Sequence, residues 1–425
     1  MQLALFPEKV DRKIAPTNLR SNRHPIHRWA NFIAGYTPEF VSECARDAGL
    51  NPGVVVLDPF AGLGTTLTQA LLDGYSAVGY EANPFFHELA TAKMQAATGR
   101  ISTDEVFAVL EATGEYAGSL TEMFGEDALK FLTKMFAEDD FRMLAGARRA
   151  EGLVSEADRP LFRLVVSRIM EAVCLSQTDG VYKAPTTRKV GKSFELALAE
   201  MRRDVLTDCQ DILPKPDLTA ELVLGPASQL SERRPSTASL CITSPPYLNN
   251  FDYAEMTRME LYFWGYARSW SEITERVRAQ MIVNTTTSPS NLKRKYLEFA
   301  TKLPEVEQHF LAPIVAQLRE RRDQKAGKKD YFALVYPYFA QLLEVFQGCH
   351  RVLKPGSPIH VIIGDSYLYG VHIPAGDICR RLLETAGFAS LEQVLLRTRG
   401  ERWILAKREG AGTPIGEYHI YGRRT

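Results

Sequence analysis

No stretch of about 18 apolar residues occurs in this 425-residue chain, so no segment of it reads as a bilayer-spanning helix. Its opening, MQLALFPEKVDRK, is too short in apolar residues and too charged for a secretory signal, and a cytoplasmic protein without a membrane partner is expected. Six cysteines (Cys44, Cys174, Cys209, Cys241, Cys349, Cys379) lie scattered with no CxxC pair. That spacing argues against a disulfide framework and a structural zinc site, so reduced thiols and no metal are expected. Net charge is also missing: 51 Lys and Arg balance 51 Asp and Glu, so a nucleic-acid partner would have to be held by local patches. Neither phosphate-binding fingerprint is complete. G-x-G-x-x-G would need glycine at Leu67, and no G-K-[ST] follows, which disfavours NAD and ATP.

What the chain does contain is an alternation of short β-rich runs with helical-period segments, the pattern of an α/β fold with a parallel sheet covered by helices. Strands are expected at 54–60 (VVVLDPF), 76–80 (SAVGY), 221–224, 239–243 (SLCIT), 359–363 (IHVII), 391–397 and 418–421, seven in all, the last two antiparallel. Helices are expected at 65–72, 86–97 after an Asn83-Pro84 stop, 331–349 and 375–386. Between 103 and 203 the strand signal vanishes, which predicts an inserted helical subdomain. Acidic residues dominate 104–158, 13 against 5 basic, whereas 183–203 carries Lys183, Arg188, Lys189, Lys192, Arg202 and Arg203. A second insertion, 266–330, is basic: 291–330 holds 10 basic and 6 acidic residues. The expected division is a split core, 1–100 and 215–425, a helical insertion at 101–214 suited to target recognition, and a basic arm at 266–330.

Two segments carry chemistry. Asp58-Pro59-Phe60-Ala61-Gly62-Leu63-Gly64-Thr65 lies where a strand end meets a helix start, the usual ligand crevice of an open α/β sheet. Its glycines admit a ligand close to the backbone, Asp58 suits a positively charged ligand, and Glu81 at the next strand end is placed for a ribose. A cationic nucleoside fits both. Thr243-Ser244-Pro245-Pro246-Tyr247 follows another buried strand. Its prolines withhold N–H groups, leaving the Ser244 hydroxyl and the Ser244 and Pro245 carbonyls as acceptors beside the Tyr247 ring. Such an edge suits a planar base with an exocyclic amine. His24 and His27 (HPIH) lack a third metal ligand, and Tyr262, Phe263 and Trp264 read as core.

D-P-F-A-G-L-G-T followed by T-S-P-P-Y resembles motifs I and IV of the S-adenosylmethionine-dependent DNA amino-methyltransferases. Residues 24–40 (HPIHRWANFIAGYTPEF) are similar to the family's motif X, which closes over the methionine part of the cofactor; 351–365 (RVLKPGSPIHVIIGD) is similar to the segment leading into its fifth strand, and Gly387-Phe388 with the LLRTRGER segment resembles the end of the fold. The resemblance implies a Rossmann-like seven-stranded class I methyltransferase sheet and S-adenosyl-L-methionine as cofactor. It places Asp58, Pro59, Phe60, Gly62, Gly64, Thr65, Glu81 and Thr243 on the cofactor, and Ser244, Pro245, Pro246 and Tyr247 on the target base. The family's adenine-contacting acidic residue has no counterpart in Leu224-Gly225-Pro226-Ala227. The implied partners are double-stranded DNA with a flipped base and a cognate restriction endonuclease.

None of the six cysteines follows a proline, which argues against the cysteine-dependent methylation of cytosine C5. Within the family S-P-P-Y tends to accompany N4-cytosine transfer and D-P-P-Y N6-adenine transfer, so cytosine N4 is the leading expectation and adenine N6 the runner-up. Lys189, Lys293, Arg294, Lys295 and Arg322 are the expected phosphate contacts. Two rivals share the motifs: an RNA amino-methyltransferase, and a methyltransferase-like binding protein without turnover.

Overall fold

The computed structural model describes residues 24–30, 35–176, 189–249, 251–325, 328–399 and 415–425. Short, almost wholly apolar runs form the strands β1 (Val55–Asp58), β2 (Ser76–Glu81), β3 (Ala220–Leu224), β4 (Ala238–Thr243) and β5 (Pro358–Gly364). All six residues of β2 are buried, as expected of a strand covered on both faces. After β5 come a small hairpin, β6 (Ser366–Leu368) with β7 (Val371–Ile373), and two long strands, β8 (Phe388–Arg399) and β9 (Ile415–Arg424). The main sheet has the order β3-β2-β1-β4-β5-β9-β8. Its first five strands are parallel, and β9 runs antiparallel to both β5 and β8.

All seven expected strands are present in one seven-stranded, mostly parallel sheet, as an α/β Rossmann-like fold requires. The two closing strands are longer than their apolar stretches, because cross-strand pairing carries them through polar residues such as Glu392 and Arg397. The β6–β7 hairpin is an addition that three-residue strands leave no periodicity to reveal. β2 ends at Glu81 before Asn83-Pro84, and the helix that follows, Pro84–Ala97, begins two residues earlier than expected. The Asn83 side chain accepts from Phe85 N (3.0 Å), and Pro84 occupies the first turn, where its missing N–H does no harm.

Alternate strand residues point to opposite faces, and each face has its own core. Val56, Leu240 and Ile242 pack with the helices Pro38–Asp47, Thr65–Leu72 and Pro84–Ala97. Leu57, Cys241, Ile359 and Val361 pack with Phe332–Val352 and Ala375–Thr385. Residues 103–209 contain helices and no strand among the described residues, and Phe107, Phe141, Phe162 and Phe194 continue the first core. Tyr262, Phe263 and Trp264 are buried in that core as well. No helix among the described residues is long and apolar enough to cross a membrane.

The chain winds from β1 to β2 and β3 on one side and from β4 to β5 on the other. The β1/β4 boundary is therefore the topological switch point, where loops diverge and leave a crevice at the carboxyl ends of the strands. Both chemistry-bearing loops leave the sheet there.

Candidate active site

Parallel pairing of Leu57 with Cys241 sets the ends of β1 and β4 side by side. Thr243 Oγ1 donates to Asp58 Oδ1 at 2.7 Å, joining residues 185 positions apart in sequence. Asp58 also accepts from Phe60 N (3.0 Å) and from Tyr36 Oη (3.2 Å). Burial pushes the Asp58 carboxyl up, and the bonds from Thr243 and Phe60 work against that rise. Gly62 and Gly64 have φ of +52° and +73°, which lets the turn fold back so that Gly64 N reaches the Ala61 carbonyl (2.7 Å). Gly62 N donates to Glu81 Oε2 (2.8 Å) and Asn83 N to Glu81 Oε1 (2.7 Å). Burial outweighs these two donors and pushes the Glu81 carboxyl up to about 7.

The two loops share one cavity of about 300 Å3. Asp58, Pro59, Phe60, Gly62, Thr65 and Glu81 line it from the β1 and β2 side, and Ser244, Pro245, Pro246 and Tyr247 from the β4 side. Gly62 and Pro245 thus face the same space. Two residues expected on the cofactor stand behind the wall instead. Thr243 is fully buried and serves Asp58. Gly64 packs on the helix Pro84–Ala97, where an added Cβ would come within 2.9 Å of Ala90 Cβ.

The Ser244–Tyr247 loop is held from below. Tyr338 Oη, fully buried, donates to the Pro246 carbonyl (2.8 Å), and Tyr247 Oη donates to Glu417 Oε1 on β9 (3.0 Å). Glu417 is itself bound by Arg397. Asp252 caps the next helix through Ala254 N and Glu255 N, and its other oxygen accepts from Arg278 Nε (2.9 Å) and Thr287 Oγ1 (2.6 Å). This pair is 2% exposed on each side and ties the second insertion to the loop after SPPY. Beyond a π-turn at Ile273–Val277, Gln280, Met281, Ile282 and Asn284 form a further wall of the cavity. Asn284 Nδ2 donates to the Phe251 carbonyl (2.8 Å). Nothing in the pattern of 279–284 marked it as part of the site, since its role depends wholly on where the insertion folds back.

Motif-X-like residues are anchored by the helical insertion. Asp208, at the end of the helix Phe194–Cys209, accepts from Ile26 N (2.8 Å), Trp29 Nε1 (2.8 Å) and Arg28 Nε (3.0 Å). His27 is buried, hydrogen-bonded to Gln69 (3.1 Å) and driven down to about 3 by burial, so it sits neutral on the cavity wall. Tyr36 bridges this segment to Asp58 and Thr66. Residues 31–34 of the segment, and Lys183, Arg188 and residues 400–402 of the LLRTRGER segment, lie outside the described residues. Lys93, on the helix Pro84–Ala97, also lines the cavity. It is 2% exposed, and its Nζ donates to the Leu63 carbonyl (3.3 Å) and the Ala30 carbonyl (3.5 Å).

The basic residues proposed for DNA lie away from the cavity lining and differ in availability. Lys293 Nζ donates to the Thr286 carbonyl (2.6 Å) and is half-buried, which pushes it down. Arg322 is paired with Asp330 (2.5 Å) and Asp323 (3.1 Å), and Lys189 Nζ donates to the Glu171 carbonyl (3.1 Å). Arg294 and Lys295 are exposed, Lys295 within 3.6 Å of Glu298. No group of metal-ligating side chains is assembled among the described residues.

A family model for DNA methylases, N6_N4_Mtase, matches residues 33–92, the stretch that carries DPFAGLGT and Glu81. The Type II methyltransferase M.BsoBI of Geobacillus stearothermophilus is 23% identical over 446 residues, covering 92% of this chain and 84% of that protein. The Type II methyltransferase M.AvaI of Nostoc sp. is 22% identical over 426 residues, 93% of this chain and 85% of its own. A shorter match, 26% identical over 200 residues, joins 44% of this chain to 36% of the Type II methyltransferase M.MjaII of Methanocaldococcus jannaschii. Both motif loops thus open on one cavity at the switch point of the seven-stranded sheet, in a chain that is similar to DNA methylases over residues 33–92 and to Type II methyltransferases over most of its length.

Proposed function

We propose that this protein transfers the methyl group of S-adenosylmethionine to the exocyclic N4 amine of cytosine in double-stranded DNA. The observation that carries the reading is the single cavity walled on one side by the DPFAGLG turn and Glu81 and on the other by SPPY. Its side chains fit the donor. Glu81 offers a carboxylate to ribose hydroxyls, Asp58 places negative charge beside a cationic ligand, and the glycine turn admits close backbone approach. When bound, the donor supplies an already activated methyl group on a sulfonium, so the protein's task is chiefly positioning.

Ser244 and the Pro245 carbonyl would accept from the target amine and favour the geometry in which its lone pair is available. They would also stabilise the positive charge that develops on nitrogen. The Tyr247 ring, pinned through its hydroxyl to Glu417, would stack the base. A base must leave the duplex to reach this loop, at about a few kcal/mol for unstacking and unpairing. Arg294 and Lys295, exposed on the second insertion, are the proposed phosphate contacts, and the helical insertion at 101–214 is the proposed target-reading element. The Type II methyltransferase relatives support a cognate restriction endonuclease as companion.

Incubating the protein with duplex DNA and labelled S-adenosylmethionine, followed by mass spectrometry of the nucleosides, tests the reading. N4-methylcytosine is expected. N6-methyladenine would move the amine to the runner-up base, label confined to RNA would remove DNA as substrate, and donor binding without any transfer would leave a binding protein.

A further inference from the structure

Lys93 is a buried cation with no counter-ion among the described residues. It sits on a helix whose neighbouring inward positions, Leu89, Ala90, Ala92, Met94, Ala96 and Ala97, are apolar and buried. Among the described residues no carboxylate pairs with it, and its two hydrogen bonds, to the Leu63 and Ala30 carbonyls, are long. Burial pushes the ammonium down to about 7, helped by the positive charge of Arg168. A methionine would satisfy this helix position with less loss of stability, since an unpaired buried charge is strongly unfavourable.

The cavity explains the lysine. Among the described residues that line it, Lys93 is the only one able to carry positive charge near neutral pH, because His27 is held neutral and none of them is an arginine. The other charged groups there, Asp58, Glu81 and Glu344, are carboxylates. The methyl donor bears two cationic groups and a single anion, the α-carboxylate of its amino-acid end. The acidic residues suit its cationic groups and ribose hydroxyls and repel that anion, which leaves one favourable place for it. Leu63, whose carbonyl holds Nζ, lies between the two turn glycines, so the ammonium is presented where the backbone leaves room for a ligand.

We propose that Lys93 binds the α-carboxylate of the methyl donor, its Nζ donating to the carboxylate oxygens and gaining a counter-charge that the described residues do not provide. The assignment rests on the cavity being the donor site.

The test is isothermal titration calorimetry on the full-length protein with two probes: S-adenosylhomocysteine, and its decarboxylated counterpart, which keeps the amine and lacks the acid. For the wild type, the decarboxylated probe should bind roughly 10- to 100-fold more weakly, the range of a charge-assisted hydrogen bond in a buried site. Lys93→Met, which keeps the volume and removes the charge, should weaken the intact probe by a similar factor and bind the two probes alike. Loss of an incidental structural contact would weaken both probes equally and leave the discrimination intact, and that result would overturn the proposal. Equal affinity of the two probes for the wild type overturns it without any variant. Failure of the wild type to bind either probe removes the donor-site reading, and this assignment with it.

Discussion

Replacing Glu81 with glutamine should change how cofactor affinity depends on pH. The carboxyl is 9% exposed, and burial outweighs its backbone donors, Asn83 N and Gly62 N foremost, and raises it from an ordinary 4.5 to about 7. Ribose hydroxyls donate to the ionised form, so the ligand selects the charged state and its affinity falls as the pH drops below 7. Between pH 7 and pH 5 the ionised fraction falls from about one half to about one hundredth, which limits the loss of affinity to roughly 50-fold. Lys93 works in the opposite sense. Its ammonium, lowered to about 7, must be protonated to hold a carboxylate, so affinity also falls as the pH rises above 7. The wild type should therefore bind S-adenosylhomocysteine best near pH 7. Calorimetry from pH 5 to pH 9 at constant ionic strength should show Glu81→Gln losing the acid limb alone and Lys93→Met the alkaline limb alone. An affinity that is flat from pH 5 to pH 8, or an acid limb of undiminished size in Glu81→Gln, would refute the reasoning. For the fold the sign is separate. A carboxyl raised in the folded state adds stability in full below 4.5, and that stability is lost as the pH climbs through the folded value near 7.

Further outcomes follow from the same contacts. Tyr247→Phe keeps the ring and removes the bond to Glu417, so turnover should drop while cofactor affinity stays at the wild-type value; equal losses in both would contradict the separation of the two walls. Arg278→Ala leaves Asp252 buried without its cation, and urea denaturation should show a loss of about 3–5 kcal/mol. A change below about 1 kcal/mol, the scale of an exposed pair, would mean that the pair does not anchor the insertion. Gly64→Ala combines a left-handed backbone with a 2.9 Å approach to Ala90 Cβ. It should destabilise by about 1–3 kcal/mol, and a melting temperature at the wild-type value would refute the packing role.

The strands, both motif loops and the candidate pairing of Asp58 and Glu81 with Ser244 and Tyr247 were all legible in the residues. A buried parallel strand must be a continuous apolar run, and a ligand turn at its end must be rich in glycine or proline, so both features leave local marks. Thr243 and Gly64 were legible as part of the motif but not in their roles. A motif reports which residues belong to a turn, whereas only packing distinguishes those facing the ligand from those supporting Asp58 or the neighbouring helix.

Other parts of the site carried no such mark. Lys93 lies in a helical stretch where a lysine ordinarily reads as solvent-facing, and its burial depends on the helix packing beneath the Leu63 carbonyl. Asp208 holds the segment around Trp29 from a position 179 residues away, and residues 279–282 and 284 line the cavity directly after Arg278, which is bound to Asp252. Taken alone, the sequence determined the sheet, the order of its loops and the kind of ligand they suit, because backbone pairing and turn chemistry are local. The tertiary structure decided which distant side chains close the cavity and where the buried Lys93 points, because those depend on long-range packing that no spacing along the chain encodes.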